Sequence, residues 1–295
     1  MTSVFDFKSI KTHYPEAPKL SYFNARDGTS LSYRFYDSPC RDVVCILLHG
    51  SSAHGEYLHP LASYLSSHGA GQVYVPNIRG HYMSGSGRGD CAYIGQLEDD
   101  LVDLIQRMQL QNKKIFLFGH SSGGGLAIRF AGGNHSIPIH GYVLLSPAIP
   151  RAPTMRQGTA GGWANVHLFK LLFCLFLNAL GAGLFNYLKV ISFNKPKEEC
   201  DGTETLTYSF RLNASYHPRY PYQADIHALE KKALVLIGTE DEANDPAKYP
   251  EIIQTSDQSL QVIEGIKHLN IVCAPKAMQA SLNWINVKKT QDIGD

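Results

Sequence analysis

The residues with the clearest chemical potential lie where the apolar run 114–118 meets Gly119-His120-Ser121-Ser122-Gly123, a G-x-S-x-G pattern that opens a small-residue helical segment. A serine at such a strand-to-helix junction can occupy a sharp, strained turn, because Gly119 and Gly123 let strand and helix approach closely. That turn exposes one hydroxyl, and Ser121 is the candidate nucleophile. Attack on a carbonyl builds an oxyanion that needs two donors. The backbone N–H of Ser122, at the helix start and aided by the helix dipole, is one. The second should come from the loop after a neighbouring strand, where Leu47-Leu48-His49-Gly50-Ser51-Ser52 offers the N–H of Ser51. His49 reads as a structural loop residue.

A serine hydroxyl is a weak nucleophile near neutral pH, so a base must take its proton and a carboxylate must orient that base. The chain order that accompanies a nucleophile elbow is serine, acid, histidine. Of 13 histidines, His217, His227 and His268 follow residue 170. His268 comes directly after the last strand-like run, whereas His217 and His227 precede the run 233–237. That run ends in Gly238-Thr239-Glu240-Asp241-Glu242, which alone would read as a solvated acidic turn. Its place in the order selects Asp241, with Asp245 in reserve and Glu240 and Glu242 turned elsewhere.

These groups need a scaffold, and its elements are legible. Nearly continuous apolar runs at 43–48, 73–76, 114–118, 142–145, 233–237 and 260–263 predict strands covered on both faces. Residues 21–24 and 31–36 flank Arg26-Asp27-Gly28 as an antiparallel opening hairpin. Helical spacing marks 57–68, 94–110, 122–131 and 275–286; Leu97, Leu101, Leu104, Ile105 and Met108 form one stripe, with Glu98, Asp99, Asp100 and Asp103 mostly off it. The alternation predicts a mostly parallel, eight-stranded α/β sheet flanked by helices. Segments 1–149 and 225–295 form one core, and 150–224 breaks the rhythm as an inserted cap between strands six and seven.

Composition narrows the function. Twenty-seven Lys and Arg against 26 Asp and Glu leave no basic excess for nucleic acid. The first 20 residues carry Asp6, Lys8, Lys11 and Glu16 and read as no signal peptide. Six scattered cysteines lack zinc spacing; they read as reduced thiols in a cytoplasmic protein, with membrane association as an option. No metal or organic cofactor is called for. The turn after Phe118 lacks G-x-G-x-x-G, which disfavours a hydride-transfer enzyme.

Taken together, Asp27-Gly28-Thr29-Ser30-Leu31, His49-Gly50, Arg79-Gly80-His81, Gly119-His120-Ser121-Ser122-Gly123-Gly124, Leu145-Ser146-Pro147-Ala148, Gly238-Thr239-Glu240-Asp241 and His268 resemble the monoacylglycerol lipase and lysophospholipase branch of the α/β-hydrolases, over roughly 24–287. The resemblance implies that fold, a triad of Ser121, Asp241 and His268, and oxyanion donors at Ser51 and Ser122. Members commonly carry an Asp two residues before the Arg-Gly-His run and a Gly after it. Asn77 and Tyr82 stand there instead, in a loop that often borders the acyl pocket.

The segment 171–188 has 18 residues without a charge, the minimum for a membrane span. A crossing there would separate Ser121 from Asp241 and His268, so it is read as cap helix. It either lines an apolar pocket, the favoured reading, or docks on lipid surfaces. Tyr208, Phe210, Tyr216, Tyr220 and Tyr222 extend that lining or pack the cap on the core. The expected activity is hydrolysis of a small-molecule acyl ester, a monoacylglycerol or lysophospholipid, through an acyl-enzyme. A thioesterase or amidase on the same triad and a catalytically weak binding module are the alternatives.

Overall fold

A computed structural model describes residues 5, 16–156, 162–229, 232–253 and 260–290. In chain order its strands are β1 (Ser21–Asn24), β2 (Ser30–Tyr36), β3 (Val43–Leu48), β4 (Gln72–Pro76), β5 (Lys114–His120), β6 (Gly141–Leu145), β7 (Ala164–Val166), β8 (Lys189–Phe193), β9 (Thr207–Ser209), β10 (Ala233–Gly238) and β11 (Leu260–Ile263). Its helices are α1 (His59–Ser67), α2 (Gln96–Arg107), α3 (Ser122–Ala131), α4 (Leu168–Ala179), α5 (Phe210–Ser215), α6 (Gln223–His227), α7 (Tyr249–Ile252) and α8 (Pro275–Lys288).

Eight strands form one sheet in the order β1-β2-β4-β3-β5-β6-β10-β11. β2 runs antiparallel to β1 and β4, and the other pairings are parallel. All six residues of β3 are buried, and the period of two sorts them between two cores. Val44, Ile46 and Leu48 meet Leu97, Leu101 and Leu104 of α2 and Leu126 and Phe130 of α3. Val43, Cys45 and Leu47 meet Leu61 and Leu65 of α1 and Ala277, Leu282 and Ile285 of α8. Helices on both faces explain why these strands read as unbroken apolar runs.

The predicted elements stand at the predicted places, with ends shifted by at most three residues. Helix 57–68 begins as a 3-10 turn, Gly55–Leu58, before α1. Helix 94–110 contracts to α2, opened by Gly95 at φ +103°. Its acids do not simply face water: Glu98, Asp100 and Asp103 are buried. Cations brought from afar neutralise them. Arg79 holds Asp100 at 2.7 Å and Asp27 at 2.9 Å, Arg26 holds Asp103 at 3.0 Å, and Glu98 bridges Arg129 of α3 and Arg219.

Between β6 and β10, β7-β8-β9 form a separate antiparallel sheet. Three-residue strands such as β7 and β9 are too short to show a period, so the sequence gives them no signal. α4 is 12 residues long, and no described helix is long and apolar enough to cross a membrane.

Candidate active site

β3, β5, β10 and β11 are mutually parallel, so the loops after them open on one edge of the sheet. Ser51, Ser121, Asp241 and His268 all stand in those loops. Ser121 has φ +53° and ψ −121° between β5 and α3, a strained conformation that only its surroundings can impose. Those surroundings require glycine. A Cβ on Gly119 would lie 2.2 Å from the Gly123 carbonyl oxygen, and one on Gly123 2.3 Å from that of Leu48.

The structure brings the expected trio together. The Ser121 hydroxyl is 3.0 Å from Nε2 of His268, and the opposite ring nitrogen, Nδ1, is 2.9 Å from Oδ2 of Asp241. Asp241 and His268 are both buried. Burial alone would raise the Asp241 pKa. It is nonetheless held down at about 2, by the charge and hydrogen bond of His268 and by the Asn244 N–H. The N–H groups of Ala243 and Asn244 donate to its Oδ1 at 2.9 and 2.7 Å. Asp245 instead caps the turn at Ala247, Glu242 accepts the backbone N–H of His268 at 2.9 Å, and Glu240 is exposed.

The oxyanion candidates close the same site. The loop after β3 passes so near the nucleophile that a Cβ on Gly50 would sit 3.1 Å from the Ser121 Cβ. Ser51 and Ser122 both line the cavity, and among the described residues the backbone N–H of Ser51 donates to no acceptor. His49 is structural: its Nε2 accepts the N–H of Ile78 at 2.9 Å and burial keeps it neutral.

Sequence reasoning missed the layer behind these groups. Tyr57 accepts the Gly50 N–H at 2.7 Å and meets Nδ1 of His120 at 2.7 Å, while Nε2 of His120 meets the His268 carbonyl at 3.0 Å. Burial lowers the His120 pKa to about 3, so the ring is neutral and carries its proton on Nε2. One chain of hydrogen bonds thus ties the loop after β3 to the His268 loop. His120 was visible inside the motif; Tyr57 carried no signal. Phe5, 3% exposed, stacks on the His268 ring at 5.0 Å and 19° and leans on Trp163 at 5.1 Å.

A cavity of about 570 Å³ opens over Ser121. Phe5, Trp163, Leu171, Leu175, Phe193 and Phe210 give it apolar walls. α4 divides its two roles: Leu171 and Leu175 face the cavity, while Phe169, Leu172 and Phe176 are exposed. Phe210, Tyr220 and Tyr222 line the cavity, whereas Tyr208 and Tyr216 are buried beneath it. Asn77 is not part of this wall; it accepts the Gly55 N–H at 2.7 Å and donates to Ser32 at 2.8 Å. Among the described residues no cluster of His, Cys, Asp or Glu has a metal-binding arrangement, and the six cysteines are free thiols.

A parallel α/β sheet with a strained serine elbow and the other site groups on its C-terminal edge defines a serine hydrolase of the α/β-hydrolase fold. The chain belongs to the serine aminopeptidase S33 family, whose sequence profile matches residues 39–271. It is similar to the monoglyceride lipase of Saccharomyces cerevisiae, 24% identical over 277 residues covering 85% of this chain and 86% of that protein. The crystal structure of a soluble variant of the yeast monoglyceride lipase with a substrate analogue superposes with a TM-score of 0.65, at 18% identity, covering 94% of this chain and 95% of that one. The monoacylglycerol lipase of Paleococcus ferrophilus gives a TM-score of 0.63 at 22% identity, covering 88% and 99%.

Proposed function

We propose that this enzyme hydrolyses the carboxylic ester of single-chain lipids, monoacylglycerols or lysophospholipids, with Ser121 as nucleophile, His268 as base and Asp241 as its orienting carboxylate. The observation that carries the reading is the 3.0 Å approach of Ser121 to His268 at the foot of a large apolar cavity. His268 Nε2 takes the Ser121 proton as Oγ attacks the ester carbonyl, and the N–H groups of Ser51 and Ser122 receive the oxyanion. The protonated His268 then gives its proton to the departing alcohol. Water, deprotonated by the same ring, attacks the acyl-enzyme, and the ring returns that proton to Ser121 Oγ as the fatty acid leaves.

The segment 150–224 acts in this reading as a cap whose inner face holds the acyl chain. The outward face of α4, with Phe169 92% and Phe176 62% exposed, supports peripheral contact with a membrane or lipid aggregate, where such substrates reside. The free thiols support a cytoplasmic setting.

The test is a chain-length series of p-nitrophenyl esters and a monoacylglycerol, with Ser121→Ala alongside. Turnover that rises toward medium or long chains and falls at least about 10³-fold in the variant is expected. Activity confined to short esters, thioesters or amides would sink the lipid assignment, and an unimpaired Ser121→Ala would sink the site itself.

A further inference from the structure

Ser51 lies between two residues whose backbone donors are both committed to tyrosines. Gly50 donates to Tyr57 within the core, and Ser52 donates to the hydroxyl of Tyr208 at 2.7 Å. Tyr208 belongs to β9, inside the inserted segment, and its own proton goes to Nε2 of His81 at 2.6 Å. His81 Nδ1 faces the carbonyls of Ile78 and Arg79 at 3.2 Å, so Nε2 is the acceptor. The same segment grips Ser52 a second time, because Thr205 N–H donates to the Ser52 carbonyl at 3.0 Å.

Ser52 has φ +62°, the left-handed region that a residue with a Cβ holds only when its neighbours enforce it. Its side chain does not enforce it. The buried Ser52 hydroxyl has no hydrogen-bond partner among the described residues, so the holding forces are the two bonds from 205–208. The Ser51 N–H belongs to the preceding Gly50–Ser51 peptide, so a shift of the Ser52 backbone reaches it through the Ser51 φ and ψ.

We infer that Tyr208 is a positioning residue through which the cap sets the oxyanion hole: its hydroxyl and the Thr205 N–H lock Ser52 so that the Ser51 N–H faces the Ser121 site. The inference rests on the reading of Ser51 as an oxyanion donor. Docking of the cap and readiness of the catalytic machinery then become one event. Lifting 205–208 away would release Ser52 from its strained conformation and disorganise the donor.

Tyr208→Phe removes one oxygen and tests this. The readouts are kcat and KM on a p-nitrophenyl ester, affinity for a trifluoromethyl ketone that forms the Ser121 oxyanion adduct, and affinity for an inert alkyl glyceryl ether. The expected result is a kcat lower by about 10- to 100-fold, KM within twofold, and ketone affinity lower by a similar factor with ether affinity unchanged. Adding Ser52→Gly should restore much of the lost kcat, because glycine adopts positive φ without restraint. Retained kcat and ketone affinity would overturn the inference, as would equal losses for ether and ketone or the absence of any rescue. If Tyr208→Phe does not fold, Thr205→Pro, which removes the second grip, carries the same expectations. Ser121→Ala separates the two levels: its unimpaired turnover would refute the site, whereas its inactivity beside a normal Tyr208→Phe refutes this inference alone.

Discussion

Asp241 shows how a single carboxylate can be withdrawn from water and still stay charged. Two backbone N–H groups and the His268 ring donate to it, and together they outweigh a burial that would otherwise favour the acid form. The same contacts fix His268 with a proton on Nδ1 and a lone pair on Nε2, facing Ser121. Asp241→Asn keeps the shape and removes the charge, so the ring loses both its tautomer preference and the partner that stabilises its protonated form. The expected consequence is a kcat lower by about 10⁴-fold with little change in KM. A steady-state assay on the best ester decides it, and a loss under tenfold would show that Asp241 does not orient the base.

At the scale of elements, α2 carries a conflict between local pattern and tertiary demand. Its apolar stripe packs on the sheet as the period of 3.6 requires, yet Glu98, Asp100 and Asp103 beside the stripe are buried too. They are tolerated because α3, the hairpin loop, the loop after β4 and the 217–229 region each deliver an arginine to them. Glu98 is the junction: through Arg129 and Arg219 it fastens α3 and the end of the inserted segment to α2. Glu98→Ala would leave Arg129, whose side chain is 8% exposed, as an uncompensated buried charge. Loss of a partner from such a pair costs about 3–5 kcal/mol, expected as a lower urea midpoint with an unchanged m-value. A shift below about 0.5 kcal/mol would mean that the cluster is effectively solvated.

The molecule as a whole should be sensitive to acid. Burial keeps His49 neutral and pushes His81 to about 4 and His120 to about 3. In the unfolded chain each takes up a proton below about pH 6.5, and in the native state each resists it. The unfolded state therefore binds more protons between pH 6.5 and about 4, so stability falls as pH drops, by about 1.4 kcal/mol per pH unit per histidine. Asp241 extends the loss at still lower pH, where its unfolded form is protonated and its native form is not. Melting temperature recorded from pH 8 to pH 4.5 is expected to fall steeply below 6.5, and a flat profile would contradict the buried neutral rings. Much of this organisation was legible in the chain. Ser121, Asp241 and His268 could be read because each follows an apolar run in a fixed order, and parallel strands bring the ends of such runs to one edge. The core strands could be read because helices cover both faces, which makes them uniformly apolar. Trp163 and Phe5 were not read at all, and Tyr57 and Tyr208 were read only as a helix residue and a cap aromatic, since the partners that give them their roles are distant in sequence. The sequence by itself determined the sheet, the elbow and the order of the three candidate groups along it, all of which rest on local propensity and hydrophobic period. Only the tertiary structure decided how the segment 150–224 meets the core, which acids are buried and which tyrosine accepts the Ser52 N–H. Those outcomes depend on pairing polar groups across 21 to 156 residues, and no local rule encodes such partners.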